Sequence, residues 1–409
     1  MKFIKRLFIL LMVLAIGLVG YAFYAGIPIE ELPDHLEQKI TELLQSKSDN
    51  EDDDIASEPI EPDHSTNAEQ KPSTGSKKDL PIFELLPLPN NPFKAVDDYA
   101  RACPAANESS VQALASYLKQ GTESDLEKAR AIYVWLTDNV MYDDNAYNSG
   151  NYPNYTPEYV LSNKKAVCDG FGTLFKALGD EMGLEIKKVS GYSKGYGYTV
   201  GDHFVETTHA WNLIKIAGEW RVFDATWGQG NGSNVNGKLV SKKQFNEYWF
   251  NVDPYEAIFT HLPEHSSFQK VSPTIDLATY EKLPYVREQY FGLGFDGSTA
   301  FKDALANKRL QFPKCYSHDS HIEIRKAPPY SLMSFDNTHR FEVYAPRAYK
   351  MALIDSKGKW SYLEREDGVF RIDFKPENEG QLNLHVSFDK DGRSFSGLLQ
   401  YEVRKRREV

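Results

Sequence analysis

The chain has 409 residues, with 47 Lys and Arg against 58 Asp and Glu for a formal net charge of -11, so it lacks the basic surplus by which proteins hold nucleic acid. Three cysteines make no disulfide framework, and a chain of this length with 13 % aromatic residues buries a core without such staples. A nucleic-acid-binding protein and a small disulfide scaffold are thereby excluded.

Residues 7 to 29 carry no charge and follow Lys2, Lys5 and Arg6. That length suits a bilayer span, and the positive flank predicts an N-terminus left in the cytoplasm. A signal anchor over 1–29 is expected, with a single-pass cell-membrane location and the catalytic domain extracytoplasmic. A cleaved signal peptide and secretion is the alternative, with Gly20-Tyr-Ala22 as a small-x-small site. Residues 30–80 read as an acidic disordered linker centred on Glu51-Asp-Asp-Asp54, too poor in apolar surface to order itself.

The folded part begins near residue 81. Ser124-Asp-Leu-Glu127 spells a capping box, and Leu126, Ala129, Ile132, Tyr133, Leu136 and Val140 follow on one helical stripe. Met141 to Pro157, rich in Tyr, Asn and Asp, reads as a long loop at a cleft rim. Beyond it, Phe171, Leu174, Phe175, Leu178 and Met182 recur at helical spacing before Gly183, which puts Cys168 at a helix start. There, unpaired N–H groups and the positive dipole end favour a thiolate, Asp169 opposes it, and the Cys168 backbone N–H is a candidate oxyanion donor.

His209 to Ile216 and Glu219 to Trp227 read as strands joined at Ala217-Gly218. A two-residue loop there sets His209 opposite Thr226 and makes Asp224 its diagonal neighbour on one face, about 7–8 Å away at Cα. Cys168, His209 and Asp224 thus offer nucleophile, base and orienting carboxylate. A thiol attacks poorly until a nearby imidazole, itself held by a carboxylate, makes it a thiolate. The His–Asp contact follows from strand parity; the Cys–His contact needs the tertiary fold.

Around this trio the sequence resembles the transglutaminase-like superfamily, with its papain-like cysteine core, and within it the kyphoscoliosis-peptidase-like branch. The resemblance runs from about Phe93 to Tyr290. It rests on Glu127-Lys-Ala-Arg-Ala-Ile-Tyr-Val-Trp135, Asn139-Val-Met-Tyr-Asp143, Ala166-Val-Cys168-Asp-Gly-Phe171, Gly191-Tyr-Ser-Lys-Gly195, His209-Ala-Trp-Asn212, Asp224-Ala-Thr-Trp227 and Thr260-His-Leu-Pro-Glu264. Phe171 stands where the family often has Tyr, and His265 where an acid is common. The resemblance implies Cys168 as nucleophile, His209 as general base and acid, and Asp224 as orienting carboxylate. It assigns Lys194 to a family motif without supplying a mechanism.

Other signals are weaker. Gly292-Leu-Gly294-Phe-Asp-Gly297 spells a dinucleotide fingerprint, but the charged run before it is no buried parallel strand. Cys168, His209 and Asp224 are ligand types for zinc, without a Cys-x-x-Cys pair or His-Glu-x-x-His helix in support. No cofactor and no metal are expected. His203, His261 and His321 show no shared spacing. Trp135, Trp211 and Trp227 read as core and pocket walls. Cys103 and Cys315 are left as a conceivable bridge.

After a mixed connector over 269–315, residues 316–409 alternate in short strands: Phe370, Ile372, Phe374; Leu382, Leu384, Val386, Phe388; Leu399, Tyr401, Val403. That pattern suits an immunoglobulin-like β-sandwich. The expected fold class is α+β: a papain/transglutaminase-like catalytic core over 81–268, with helices on an antiparallel sheet, then the sandwich, behind an N-terminal membrane-spanning helix. The expected function is a membrane-anchored cysteine acyl-transfer enzyme on peptide or protein amides, with a cell-envelope component as a candidate substrate and hydrolysis favoured over amine transfer. The rival is a non-catalytic, surface-displayed binding scaffold on the same fold.

Overall fold

The computed structural model describes residues 91–306 and 310–405. The expected membrane-spanning helix and acidic linker lie outside these residues. Helix α1 spans Lys94–Arg101, α2 Val111–Gln120 and α3 Asp125–Asn139. Ser124 caps α3 as expected, its Oγ accepting from the Glu127 N–H at 3.2 Å, while the Glu127 carboxylate accepts from the Glu123 N–H at 2.6 Å. Helix α3 is more deeply set than one stripe implies: every residue from Ala129 to Thr137 is buried. Because Arg130 falls within that run, its charge needs partners. Its guanidinium holds Asp97 at 2.6 and 2.8 Å and Glu247 at 2.5 and 2.8 Å.

The segment Met141 to Pro157 is not one long loop. It opens with strand β1 (Met141–Tyr142) and holds a short helix α4 (Asp144–Ser149). Asp143 caps that helix by accepting from the Ala146 N–H, so turn-forming residues here build a helix start. Helix α5 (Pro157–Asn163) and strand β2 (Lys165–Ala166), parallel to β1, lead into α6 (Cys168–Met182). Phe171, Leu174, Phe175, Leu178 and Met182 all face the core, and Gly183 closes the helix in a left-handed conformation.

Helix α6 packs on a four-stranded antiparallel sheet of order β5-β4-β3-β8: β3 Ile186–Ser193, β4 His209–Ile216, β5 Glu219–Phe223 and β8 His261–Pro263. Ala217 and Gly218 take φ of 50° and 89° in a two-residue turn, and Ile216↔Glu219 through Asn212↔Phe223 pair in the expected register. Strand β5 nevertheless stops at Phe223 instead of running to Trp227. Asp224 turns the chain into helix α7 (Ala225–Gln229) by capping it with its own carboxylate. Strands β6 (Gly230–Val235) and β7 (Lys238–Lys243) form a separate hairpin beside α4.

Helices α8 (Pro254–Ala257), α9 (Leu277–Lys282), α10 (Glu288–Gly292) and α11 (Gly297–Ala306) surround β8 and lead out of the first domain. The Gly292-Leu-Gly294 run lies at the end of α10 and in a turn where Gly294 has φ 100°, with no βαβ unit around it. Strand β9 (Lys314–Cys315) then joins a two-sheet domain. One sheet orders β10 (Glu323–Lys326), β12 (His339–Tyr344), β16 (Val369–Phe374) and β15 (Glu364–Glu366). The other orders β11 (Leu332–Ser334), β18 (Ser396–Arg404), β17 (Gly380–Ser387), β13 (Lys350–Ile354) and β14 (Trp360–Tyr362). Phe370, Leu382, Leu384, Val386, Leu399, Tyr401 and Val403 point into the shared core, as the alternation requires.

The membrane-embedded expectation finds no support here. Among the described residues no helix is long and apolar enough to cross a membrane. Helices α3 and α6, of 15 residues each, reach about 22 Å against a hydrocarbon core of about 30 Å.

Replacing Arg130 by Met strands the buried Asp97 carboxylate, whose charge Arg130 maintains below its usual pKa against the cost of burial. The expected cost is about 3–5 kcal/mol, read as a lowered urea midpoint of the full chain. A depressed carboxylate pKa stabilises the fold above the unfolded value of 3.8 and loses that effect as pH falls. The gap between parent and variant should therefore close in acid.

Candidate active site

Cys168 is the first residue of α6 and is half-buried, so a ligand can reach its thiol. The helix is held against β4 by the Asn212 side-chain amide, which donates to the Gly172 carbonyl at 3.0 Å. Asp169 points its charge elsewhere, onto Lys188 Nζ at 2.6 Å. His209 opens β4 and Asp224 follows β5, which places both at one end of the sheet.

His209 Nε2 meets Asp224 Oδ2 at 2.7 Å, and Asp224 is fully buried. That contact leaves Nδ1 as the ring nitrogen free to engage a thiol. Burial opposes a proton on His209, but Asp224 and then Cys168 overcome it and raise its pKa. Burial likewise opposes the Asp224 charge; His209 and His261 outweigh it and lower its pKa. The fold thus brings His209 and Asp224 into direct contact, with Cys168 at the start of the helix packed on β4.

Sequence reasoning missed a fourth. His261 Nε2 also meets Asp224 Oδ2, at 3.1 Å, and His261 is itself buried. It reaches the site because β3 lies between β4 and β8, with Gly191 paired to His209 on one side and to Pro263 on the other. A Cβ at Gly191 would come within 2.2 Å of the Leu262 carbonyl oxygen and 2.6 Å of the Trp211 ring, so this close approach requires glycine. The available signal was the run Thr260-His-Leu-Pro-Glu264, which matched the branch while its histidine stood apart from the others.

Two imidazoles and a carboxylate, with ligand atoms within 4.8 Å of one another, are also a metal donor set. The carboxylate, however, is already satisfied. Asp224 Oδ1 accepts from the Thr226 and Trp227 N–H groups at 2.8 and 3.0 Å, and Oδ2 accepts from both histidines. A cation there would have to break two imidazole hydrogen bonds. The site as built is a hydrogen-bonded cluster, and the zinc reading of Cys168, His209 and Asp224 gains nothing from it.

Trp211 and Trp227 flank His209 at ring distances of 5.9 and 5.6 Å, and Trp211 is buried in the core. Trp135 serves elsewhere: it is buried on α3, donating to Glu108. Tyr142, Tyr147 and Tyr196 form a row with ring distances of 6.1 and 6.0 Å, and Tyr142 pairs with Ala166, two residues before Cys168. The expected rim segment therefore does border the nucleophile. Lys194 is fully buried and donates to the Tyr280 and Leu283 carbonyls, both at 2.8 Å, pinning the end of α9 to the sheet. Cys103 and Cys315 are free and pack against separate cores, so no bridge joins them.

Residues 112–225 match the model of the transglutaminase-like superfamily, a span that holds all three expected catalytic residues. Kyphoscoliosis peptidase of Mus musculus is 32 % identical over 327 residues, covering 80 % of this chain and 45 % of the relative. This chain carries a transglutaminase-like core of the kyphoscoliosis-peptidase-like branch. Hillarin of Drosophila melanogaster is 27 % identical over 309 residues, covering 69 % of the chain and 36 % of the relative. The chain spans less than half the length of these relatives. The exported, membrane-anchored location is overturned by further matches: the cytokinesis protein 3 of Schizosaccharomyces pombe and that of Saccharomyces cerevisiae are 25 % and 30 % identical over 213 and 275 residues. These cover 50 % and 64 % of the chain and 23 % and 29 % of the relatives.

Two measurements test this geometry. Iodoacetamide near neutral pH should label Cys168 well before Cys103 and Cys315, whose thiols burial pushes up to about 11 and about 12. Mapping by mass spectrometry should show at least a tenfold slowing at Cys168 in His209→Ala. For Lys194, burial pulls the pKa down to about 7 against an unfolded value of 10.5. Between those values the unfolded chain binds more protons, so stability should rise with pH there, and urea titrations of Lys194→Met should lack that rise.

Proposed function

We propose that the protein is a cysteine acyl-transfer enzyme acting on peptide or protein amides through Cys168, His209 and Asp224. The observation that carries this reading is the buried His209–Asp224 pair, which leaves one imidazole nitrogen for a thiol at a helix start. His209 takes the Cys168 proton, Sγ adds to the amide carbonyl carbon, and the Cys168 backbone N–H is placed to help hold the developing oxyanion. Collapse breaks the C–N bond as His209 returns its proton to the leaving amine, and a thioester remains. Water, deprotonated by His209, then releases the acid and restores the thiol.

An amine in place of water would give a new amide, and the first half-reaction is common to both. Hydrolysis is favoured because water reaches any thioester open to solvent, whereas an amine must be bound. Two relatives that each cover 80 % of this chain are named peptidases, which agrees with this preference. We read 81–268 as the catalytic domain, 269–315 as connector and 316–409 as an immunoglobulin-like sandwich that binds or spaces. The strand order supports the last: the first, second, fifth and fourth strands of the β10, β12, β13, β15, β16, β17, β18 series share one sheet, and the third, sixth and seventh the other.

The test offers the full chain a set of Gln-containing peptides, with and without a fluorescent primary amine. Acid products and a thioester on Cys168 by mass spectrometry are expected, with amine adducts minor, and both are lost in Cys168→Ala. Asp224→Asn should lower turnover by roughly 10⁴-fold, as in other triads that lose the orienting carboxylate. Products unaffected by Cys168→Ala would sink the reading and leave a binding scaffold. Dominant amine adducts would reverse the preference for water.

A further inference from the structure

We infer that His261 is a positioning residue for the triad: as a neutral imidazole it donates Nε2–H to Asp224 and so fixes the carboxylate that orients His209. This rests on the acyl-transfer reading for its purpose, and on geometry alone for its substance. Asp224 bridges three elements. Its Oδ1 caps α7, and its Oδ2 receives β4 through His209 and β8 through His261. A carboxylate has about four acceptor positions, and here each is taken by a donor from the fold. With two donors on each oxygen the group has no freedom to turn toward the thiol or to follow His209 as it moves.

The state of His261 follows from what surrounds it. Its Nδ1 lies 2.9 Å from the Thr260 hydroxyl. With Nε2 on an anionic oxygen, Nε2 carries the proton; the single Thr260 hydroxyl proton has two acceptors in reach, Nδ1 at 2.9 Å and the Ala257 carbonyl at 3.3 Å, and the shorter contact assigns it to Nδ1. That assignment fixes the tautomer, and it leaves the ring uncharged. Three indoles box it in, with ring distances of 5.0 Å to Trp211, 4.5 Å to Trp227 and 4.8 Å to Trp249. Burial among them, together with the His209 charge, holds the His261 pKa down against the pull of Asp224 and so disfavours a second imidazolium.

The division of labour is then clear in chemical terms. Both histidines touch one oxygen, yet His209 alone also has Cys168 as partner. His261 lends Asp224 a hydrogen bond without lending it a charge, so the carboxylate stays ionised and keeps its full attraction for the imidazolium that forms on His209. A hydrogen bond to the charged form lowers a carboxyl pKa, so removing it must raise that pKa. The titratable groups facing Asp224 are His209 and His261, with Tyr133 contributing across α3 and Cys168 reached through His209.

The experiment uses the full chain with ¹⁵N-labelled His and ¹³C-labelled Asp, comparing the parent with His261→Leu, His261→Gln and Thr260→Val by NMR titration. In the parent, His261 should remain a neutral Nε2–H tautomer between about pH 5 and 8. Asp224 should titrate at higher pH in His261→Leu, and His261→Gln, whose amide also donates, should recover part of the shift. Iodoacetamide labelling of Cys168 should fall about tenfold in His261→Leu and less in His261→Gln, the worth of one hydrogen bond to a charged group. Thr260→Val keeps His261 and its Nε2–H bond to Asp224, so the Nε2–H tautomer should persist, a result open to observation even if His261→Leu fails to fold. A charged or Nδ1–H His261 in the parent, or an unchanged Asp224 titration in folded His261→Leu, overturns the inference. An ordinary thiol profile at Cys168 in the parent would instead overturn the acyl-transfer reading, with the tautomer and the Asp224 titration still deciding the role of His261.

Discussion

The Asp224 carboxylate is where the secondary structure and the chemistry meet. As a helix cap it ends β5 and starts α7, and as an acceptor it ties His209 on β4 to His261 on β8. A fully buried anion is tolerated only when its hydrogen-bonding capacity is met, and four donors meet it here. The same condition shapes the neighbourhood. Gly191 must lack a side chain so that β8 can approach β3, and three indoles close around His261 and keep it from water.

What the sequence made legible was what local periodicity controls. The Cys168 helix, its stop at Gly183, the capped helix α3 and the register of the Ala217-Gly218 hairpin all follow from spacing and turn chemistry. Strand parity was enough to bring Asp224 to the same end as His209. It did not reveal that the strand would end there, because a side chain that caps its own following turn competes with the ladder in a way alternation does not encode. The Tyr- and Asn-rich rim hid helix α4 for a similar reason: cap-forming residues read as loop.

His261 was illegible for a different reason. It is 37 residues beyond Asp224, on a three-residue strand whose pairing with β3 no local pattern announces. Arg130 presents the same lesson from the other side. Its place on α3 was plain, but the aromatic rings and the two carboxylates that make it tolerable come from Phe93 and Asp97 at α1 and from Phe245, Glu247 and Phe250. The likeness to kyphoscoliosis peptidase fixed the family of the core, while its location had to be corrected from the company of relatives it keeps.

The second core does not begin where the second domain does. Ile258, Phe259 and Leu262, on either side of His261, belong to it, together with Tyr290, Phe301 and the inward faces of both C-terminal sheets. Phe259 alone meets Phe291, Phe301 and Phe312 at ring distances of 5.5 to 6.4 Å. The two halves of the described chain are therefore welded rather than hinged, and the weld passes through the strand that carries the second imidazole. A change in packing among the C-terminal sheets therefore has a direct route, through Leu262, to the strand that holds His261 against Asp224.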